Sequence, residues 1–348
     1  MTERILDFSD RPAYLSVRDQ LLVIDFHCSA SGPSLSSGQA PAGVSTGAPV
    51  SPPGGSRDPE SGLRARAPAA QTVPLADIAV LVVSYPQVTY THAVLAGLAE
   101  AGGMFIACNP KRAPCGMLLP LSAHSTQTER FRAQASLPVP HRKRLWRQIV
   151  IAKIAAQARL LRERTGQDWG LEAIRTKVRS GDPQNLEARA ARLYWKALFG
   201  KDSPDGAGEA FRRDPQGEWP NPALNYGYAV LRAIVARALC AAGLHPSLGI
   251  HHHNRYDTFC LADDLMEPFR PVVDCAVAKL KDQRGPQPLL DKESKRVLLE
   301  ALLGRFTAAG ESRTLFDWTS RAASSLAAAI ELGESQPASA AKIDIPTL

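Results

Sequence analysis

The sequence has no CxxC pair and no short metal-finger spacing, so its six cysteines outline no zinc finger. It lacks a Walker loop and a dinucleotide fingerprint, which argues against nucleotide-driven chemistry and a nucleotide cofactor. No apolar run approaches the roughly 18 residues of a membrane span. Met1 to Asp10 also lacks the basic start and apolar centre of a secretory leader. These absences point to a cytoplasmic protein with no membrane partner. Aromatic residues are scarce, at 6%. Acidic residues are outnumbered, 34 against 41 Lys and Arg, leaving a net charge of +7 that is compatible with a polyanionic partner.

What remains is enough for a folded core. The chain has 348 residues, 45% of them hydrophobic, a length that suggests two domains. Cys108, Cys240, Cys260 and Cys275 lie in apolar or mixed surroundings and read as free buried thiols, as in a reducing compartment. Tyr14–Val17 and Leu21–Phe26 flank Arg18-Asp19-Gln20 like the arms of a hairpin. The 44 residues from Ser29 to Thr72 then hold seven Gly, seven Pro, nine Ser and no aromatic, which predicts a disordered insertion. Order resumes at Val73. A strand is expected over Ile78–Val83, a turn at Tyr85-Pro86-Gln87 and a helix from Thr91 to Ala101, stopped by Gly102-Gly103. Met104–Cys108 and Gly116–Leu121 read as further strands.

Past Leu121 the apolar period becomes 3.6. Helices are expected over Gln127–Ser136 and His141–Arg164, separated by Pro138 and Pro140. More follow over Leu186–Phe199, Ala223–Ala242, Ala262–Asp282, Asp291–Ala309 and Leu315–Leu332, before a loose tail from Gly333. The fold class is therefore α+β, with a small β-rich N-terminal domain (1–120) and a larger all-α domain (121–332). Gly227, within Asn225-Tyr226-Gly227-Tyr228, marks a close helix contact, since a mid-helix glycine otherwise costs about 1 kcal/mol.

Charge and chemistry concentrate in three places. Between Glu129 and Arg164 there are ten basic and two acidic residues, with Arg142, Lys143, Arg144, Arg147 and Lys153 on the long helix. At 100° per residue these side chains diverge, so part of the run is solvated surface and part is a candidate DNA-phosphate face. From Gly249 to Pro271, His251, His252 and His253 precede a helix on which Asp264 and Glu267 share a face. An imidazole with two carboxylates is a hard ligand set suited to Mg²⁺ or Mn²⁺, although helix capping and surface exposure explain the same residues. Arg270 is placed to orient a carboxylate or meet a phosphate. Glu187 lies beside an apolar stripe among small alanines; taken alone, it reads as a first-turn residue favoured by the helix dipole.

The segments Asn185–Gly200, Asn221–Leu231 and Leu248–Pro271 together resemble the CRISPR adaptation integrase family, the larger of the two spacer-acquisition proteins. Asp264-Leu265-Met266-Glu267-Pro268-Phe269-Arg270-Pro271 is closest to members from systems with a single-protein RNA-guided effector. The resemblance implies a β-rich domain on a helical catalytic domain, with a divalent metal on Glu187, His252 and Glu267. Asp264 matches an acidic position one turn earlier, and His251 and His253 are alternatives to His252 should the local frame slip. It further implies metal-dependent insertion of short DNA duplexes into a repeat array by 3′-hydroxyl transesterification, with an associated endonuclease activity. The implied partners are double-stranded DNA, a second copy of the chain and a small ferredoxin-like protein, with the RNA-guided effector a further candidate. Arg189 and Arg192 would join the DNA path. A stand-alone structure-specific nuclease and a non-catalytic DNA-binding scaffold are the alternative functions.

Overall fold

The computed structural model describes residues 3–26, 70–110, 114–120, 124–200, 211, 213–332 and 341–348. The predicted insertion lies outside the described residues apart from its last three.

Among the described residues, eight strands occupy the first part of the chain. They are β1 (Arg4–Phe8), β2 (Ala13–Arg18), β3 (Leu21–Asp25), β4 (Gln71–Pro74), β5 (Ile78–Val83), β6 (Val88–Tyr90), β7 (Met104–Cys108) and β8 (Pro114–Leu118). They form two four-stranded sheets, ordered β1-β5-β7-β8 and β4-β3-β2-β6. The expected hairpin is β2–β3, turned at Asp19 and Gln20, whose φ values of 50° and 61° suit a two-residue connection. Ordered pairing begins earlier than expected, because Gln71 and Thr72 pair with Ile24 and Val23. Helix α1 (His92–Glu100) packs Val94 and Leu98 into the core between the two sheets.

Strand β5 is apolar throughout because both of its faces are covered. Leu81 joins the core shared with the second sheet, while Val80 and Val82 join the core of the helices. Met104 and Ile106 on β7 point the same way as Val80, and Phe105 points opposite. The hydrophobic core is thus continuous from the first sheet into the helical layer.

The helices are α2 (Gln127–Ala135), α3 (Val139–Thr165), α4 (Leu171–Arg175), α5 (Leu186–Phe199), α6 (Asn221–Ala241), α7 (Cys260–Met266), α8 (Arg270–Arg284), α9 (Lys292–Leu302) and α10 (Leu315–Glu331). Pro138 precedes α3 and Pro140 sits in its first turn, where a missing N–H costs nothing. Close packing of α6 on α8 explains Gly227, since a Cβ there would lie 2.4 Å from Val273 Cγ1.

Several expectations are corrected. The single helix over Ala262–Asp282 is broken by a 3-10 turn at Glu267–Phe269, beside Pro268 and Pro271. The helix expected to reach Ala309 ends at Leu302. Arg305–Ala308 (β9) then pairs with Glu311–Thr314 (β10) around Ala309 and Gly310, both at positive φ, so the second part of the chain is not all-α. Helix α4 is five residues long, too short to show a helical period in the sequence. Residues 333–340 of the expected tail lie outside the described residues, but its last eight residues are not loose: Ala341 and Ile343 are buried, and Gln148 exchanges two 2.9 Å hydrogen bonds with their backbone. Of the four thiols expected inside, Cys240 and Cys260 are buried, whereas Cys108 and Cys275 are half-buried. Among the described residues no helix is long and apolar enough to cross a membrane.

Candidate active site

Asp264 organises the histidine loop from beneath. Its side chain is fully buried on α7, and Oδ2 accepts from the backbone N–H of Ile250 at 2.6 Å and His251 at 2.9 Å. Oδ1 meets Nδ1 of His252 at 2.6 Å. That hydrogen bond holds the imidazole above its ordinary pKa, against the opposing effect of burial. It also ties down Nδ1 and leaves Nε2 as the nitrogen open to a ligand. The loop turns at Gly249, where a Cβ would fall 2.3 Å from the carbonyl oxygen of His252. His251 stacks flat on Trp146 with ring centroids 4.1 Å apart, and burial pushes its pKa down. His252 meets the same indole edge-on at 5.8 Å. His253 is exposed.

Glu187 and Glu267 come from separate elements. Asp182 accepts the N–H groups of Leu186 and Glu187 at 2.9 Å each, which fixes the start of α5 and places Glu187 one residue inside it. Glu267 opens the 3-10 turn and is buried. Between the two carboxylates lies the ammonium of Lys153, from the middle of α3. It contacts Glu187 Oε1 directly and Glu267 Oε2 at 2.6 Å. Arg270 reaches the other oxygen of Glu267 at 3.1 Å. Burial alone would raise the Glu267 pKa, but the charges of Arg270 and Lys153 outweigh it and hold the carboxyl below its usual value. Burial likewise opposes the Lys153 charge, and Glu267 and Glu187 together carry its pKa above the ordinary one. Lys153 is therefore not on an exposed phosphate-binding face, where its place in a basic run had put it.

A buried network backs this centre. Asp274 accepts from Tyr194 at 2.6 Å and from Tyr228, and burial pushes its pKa up to about 6. Arg270 lies 4.8 Å over the ring of Tyr228, linking the network to Glu267.

Half of the basic run is neutralised locally. Arg130, Lys153, Arg159, Arg162 and Arg164 all make ion pairs. Arg142, Lys143, Arg144 and Arg147 have no acidic partner among the described residues. Lys143 and Arg147 are exposed, and Arg142 and Arg144 are half-buried. A cavity of about 320 Å³ joins Arg142 and Lys143 to Trp146, His251 and His253. A second hollow, of about 720 Å³, runs from Glu187 past Arg192 to Trp195, Lys196 and Arg213. Arg189 and Arg192 are exposed on α5.

Among the described residues no three His, Cys, Asp or Glu side chains converge tightly enough to hold a metal ion as they stand. Two carboxylates do converge on one cation, the ammonium, and the oriented imidazole of His252 is close enough to Glu267 for their charges to interact. Hard oxygens and an imidazole suit Mg²⁺ or Mn²⁺, so the donor set fits such an ion. Sequence reasoning missed Lys153 as a centre residue and Asp182 as the clamp of α5. The four-residue spacing from Asp182 to Leu186 is the signal that could have found the clamp.

These observations define a mixed α+β protein with a partly buried acid–imidazole centre beside a basic helix end that has no acidic partner among the described residues. Residues 63–302 match the family model described as CRISPR associated protein Cas1. The CRISPR-associated endonuclease Cas1 of Neisseria meningitidis serogroup C (strain 8013) is 40% identical over 234 residues, covering 66% of this chain and 74% of that protein. The chain belongs to the Cas1 family. Among solved structures, a casposase bound to integration product superposes with a TM-score of 0.68 at 18% identity, over 95% of this chain and 90% of that one. A Cas6-RT-Cas1--Cas2 complex gives 0.66 at 16% identity, over 98% of this chain and 36% of that one. At these identities the likeness is one of fold.

Proposed function

We propose that this chain is a metal-dependent DNA integrase that inserts short DNA duplexes at the boundary of a CRISPR repeat, and that it cuts DNA when water replaces the attacking hydroxyl. The observation carrying this reading is the meeting of Glu187 and Glu267 around one positive charge, beside an imidazole oriented by Asp264. Relatives named CRISPR-associated endonuclease, and a fold neighbour described with an integration product, support it.

In the proposed reaction a 3′-hydroxyl attacks a phosphodiester of the repeat. One P–O bond forms as another breaks, and the number of phosphodiesters is conserved. No nucleotide need be spent, in keeping with the missing Walker loop. When bound, Mg²⁺ or Mn²⁺ would supply Lewis acidity, lowering the pKa of the hydroxyl and offsetting charge on the phosphorane. Glu187, Glu267 and Nε2 of His252 would hold the ion. Asp264 keeps His252 in one orientation, and Arg270 keeps Glu267 ionised and in place. Arg142, Lys143, Arg144 and Arg147, with Arg189 and Arg192 on α5, would position backbone phosphates without choosing a sequence.

The assembly we propose is a homodimer, with two such dimers bridged by a dimer of the small ferredoxin-like partner, acting on double-stranded DNA in the cytoplasm. The Cas2-containing complex among the fold neighbours supports the bridging partner. The test is an integration assay with supercoiled repeat DNA, a short duplex bearing 3′-hydroxyls, the small partner and Mn²⁺. Wild type should give a joined product that disappears with His252→Ala, Glu267→Ala or a chelator. Cleavage without joining would favour a stand-alone nuclease, and binding without either reaction would favour a scaffold.

A further inference from the structure

We propose that Lys153 is a tethered counter-ion that holds Glu187 and Glu267 together in the metal-free protein and competes with the divalent ion for the same place. The inference rests on the metal reading above and deepens it.

Three separate elements meet at this ammonium: α3 supplies Lys153, α5 supplies Glu187, and the 3-10 turn supplies Glu267. Contact with both carboxylates at once, at 2.6 Å for Glu267, is what a bridging cation would make. The Lys153 side chain is only 10% exposed and Glu267 only 7%, while Glu187 is 26% exposed, so water screens the Lys153–Glu267 pair weakly and reaches the cluster from the Glu187 side. Without a cation between them, two carboxylates brought this close would repel each other. With Lys153 and Arg270 opposing Glu187 and Glu267, the cluster is neutral.

A divalent ion cannot join that arrangement unchanged. It needs the carboxylate oxygens that the ammonium now occupies, and two cations sharing them would repel strongly. The four-carbon stem of lysine lets the ammonium swing away while its backbone stays fixed in α3. Metal entry then leaves the cluster net positive, with an ammonium newly freed beside it. A DNA phosphate is the natural counter-charge for both. Lys153 thereby links two events: the ion displaces it from the carboxylates, and a phosphate captures it. Lys153 is in this sense a positioning residue, acting through Glu187 and Glu267.

The test is calorimetric titration of Mn²⁺ into the full-length protein without DNA, comparing wild type with Lys153→Met, Lys153→Gln and Lys153→Arg. Both neutral variants should bind Mn²⁺ about tenfold more tightly or better, within the range usual for two coupled sites. Lys153→Arg keeps the charge and should bind no more tightly than wild type. Mn²⁺ affinities within about twofold across wild type and the neutral variants would overturn the competition, as would tighter binding by Lys153→Arg. If wild type and all variants fail to take up Mn²⁺, the metal reading itself is wrong, and this inference falls with it.

Discussion

Asp274 shows how much of the centre depends on side chains that touch no substrate. Its carboxyl is buried among Tyr194, Tyr228 and Arg270, and its pKa is raised from an ordinary 3.8 to about 6. The folded state therefore holds this proton more tightly than the unfolded chain does. Stability from this group is fully present below about pH 4 and is lost as pH rises through about 6, a change on the order of 3 kcal/mol. Urea denaturation across that range should show the decline in wild type and a flatter profile in Asp274→Asn. Identical profiles would mean that Asp274 does not titrate there. None of this was legible in the sequence, because Tyr194, Tyr228 and Asp274 are far apart in the chain and meet only through helix packing. Glu267 and Asp264, by contrast, were legible as a pair because three residues of helix put them on one side. Their roles then diverge: Asp264 points under the histidine loop and Glu267 toward α3 and α5. Lys153 misled for a simple reason. A basic residue in a basic run reads as surface, and only the convergence of two distant carboxylates reverses that.

At the scale of elements, periodicity carried most of the information. Helix α5 has the bounds its apolar stripe predicts, and α3 starts where its two prolines allow. A mid-helix Gly227 signals a close helix contact, and Val273 of α8 is what it contacts. Adding a methyl group there must push α6 from α8, at a cost of about 1–3 kcal/mol. Thermal unfolding of Gly227→Ala should show a clearly lower midpoint than wild type, while an unchanged midpoint would mean the contact is soft. Element ends were harder to read. The 3-10 turn at Glu267–Phe269 hides within a helical pattern, because Pro268 and Pro271 can each sit in a first turn. The short β9–β10 hairpin hides because its four-residue arms are too brief to establish an alternating pattern, and only the Ala309-Gly310 turn betrays it. The pairing of Ala341–Ile343 with Gln148 depends on a single amide and leaves no pattern in the sequence.

For the molecule as a whole, the arrangement of charge gives the proposed chemistry a direction. The second half of α3 spends its cations on neighbouring acids, whereas the first turns keep Arg142, Lys143, Arg144 and Arg147 free of acidic partners among the described residues. That free end adjoins the histidine loop through Trp146, and the centre lies further along the same helix at Lys153. A duplex lying across the basic end would bring its terminus toward Glu187 and Glu267. Composition alone gave a net charge and no direction, since the sequence could not say which cations were already paired. The measurement that tests this account most directly is anomalous diffraction from crystals of the protein grown with Mn²⁺ and a short duplex. The account predicts a manganese peak bound by Glu187, Glu267 and His252, with Lys153 withdrawn from both carboxylates and phosphates along Arg142–Arg147. Manganese bound elsewhere, with the ammonium still bridging Glu187 and Glu267, would contradict it.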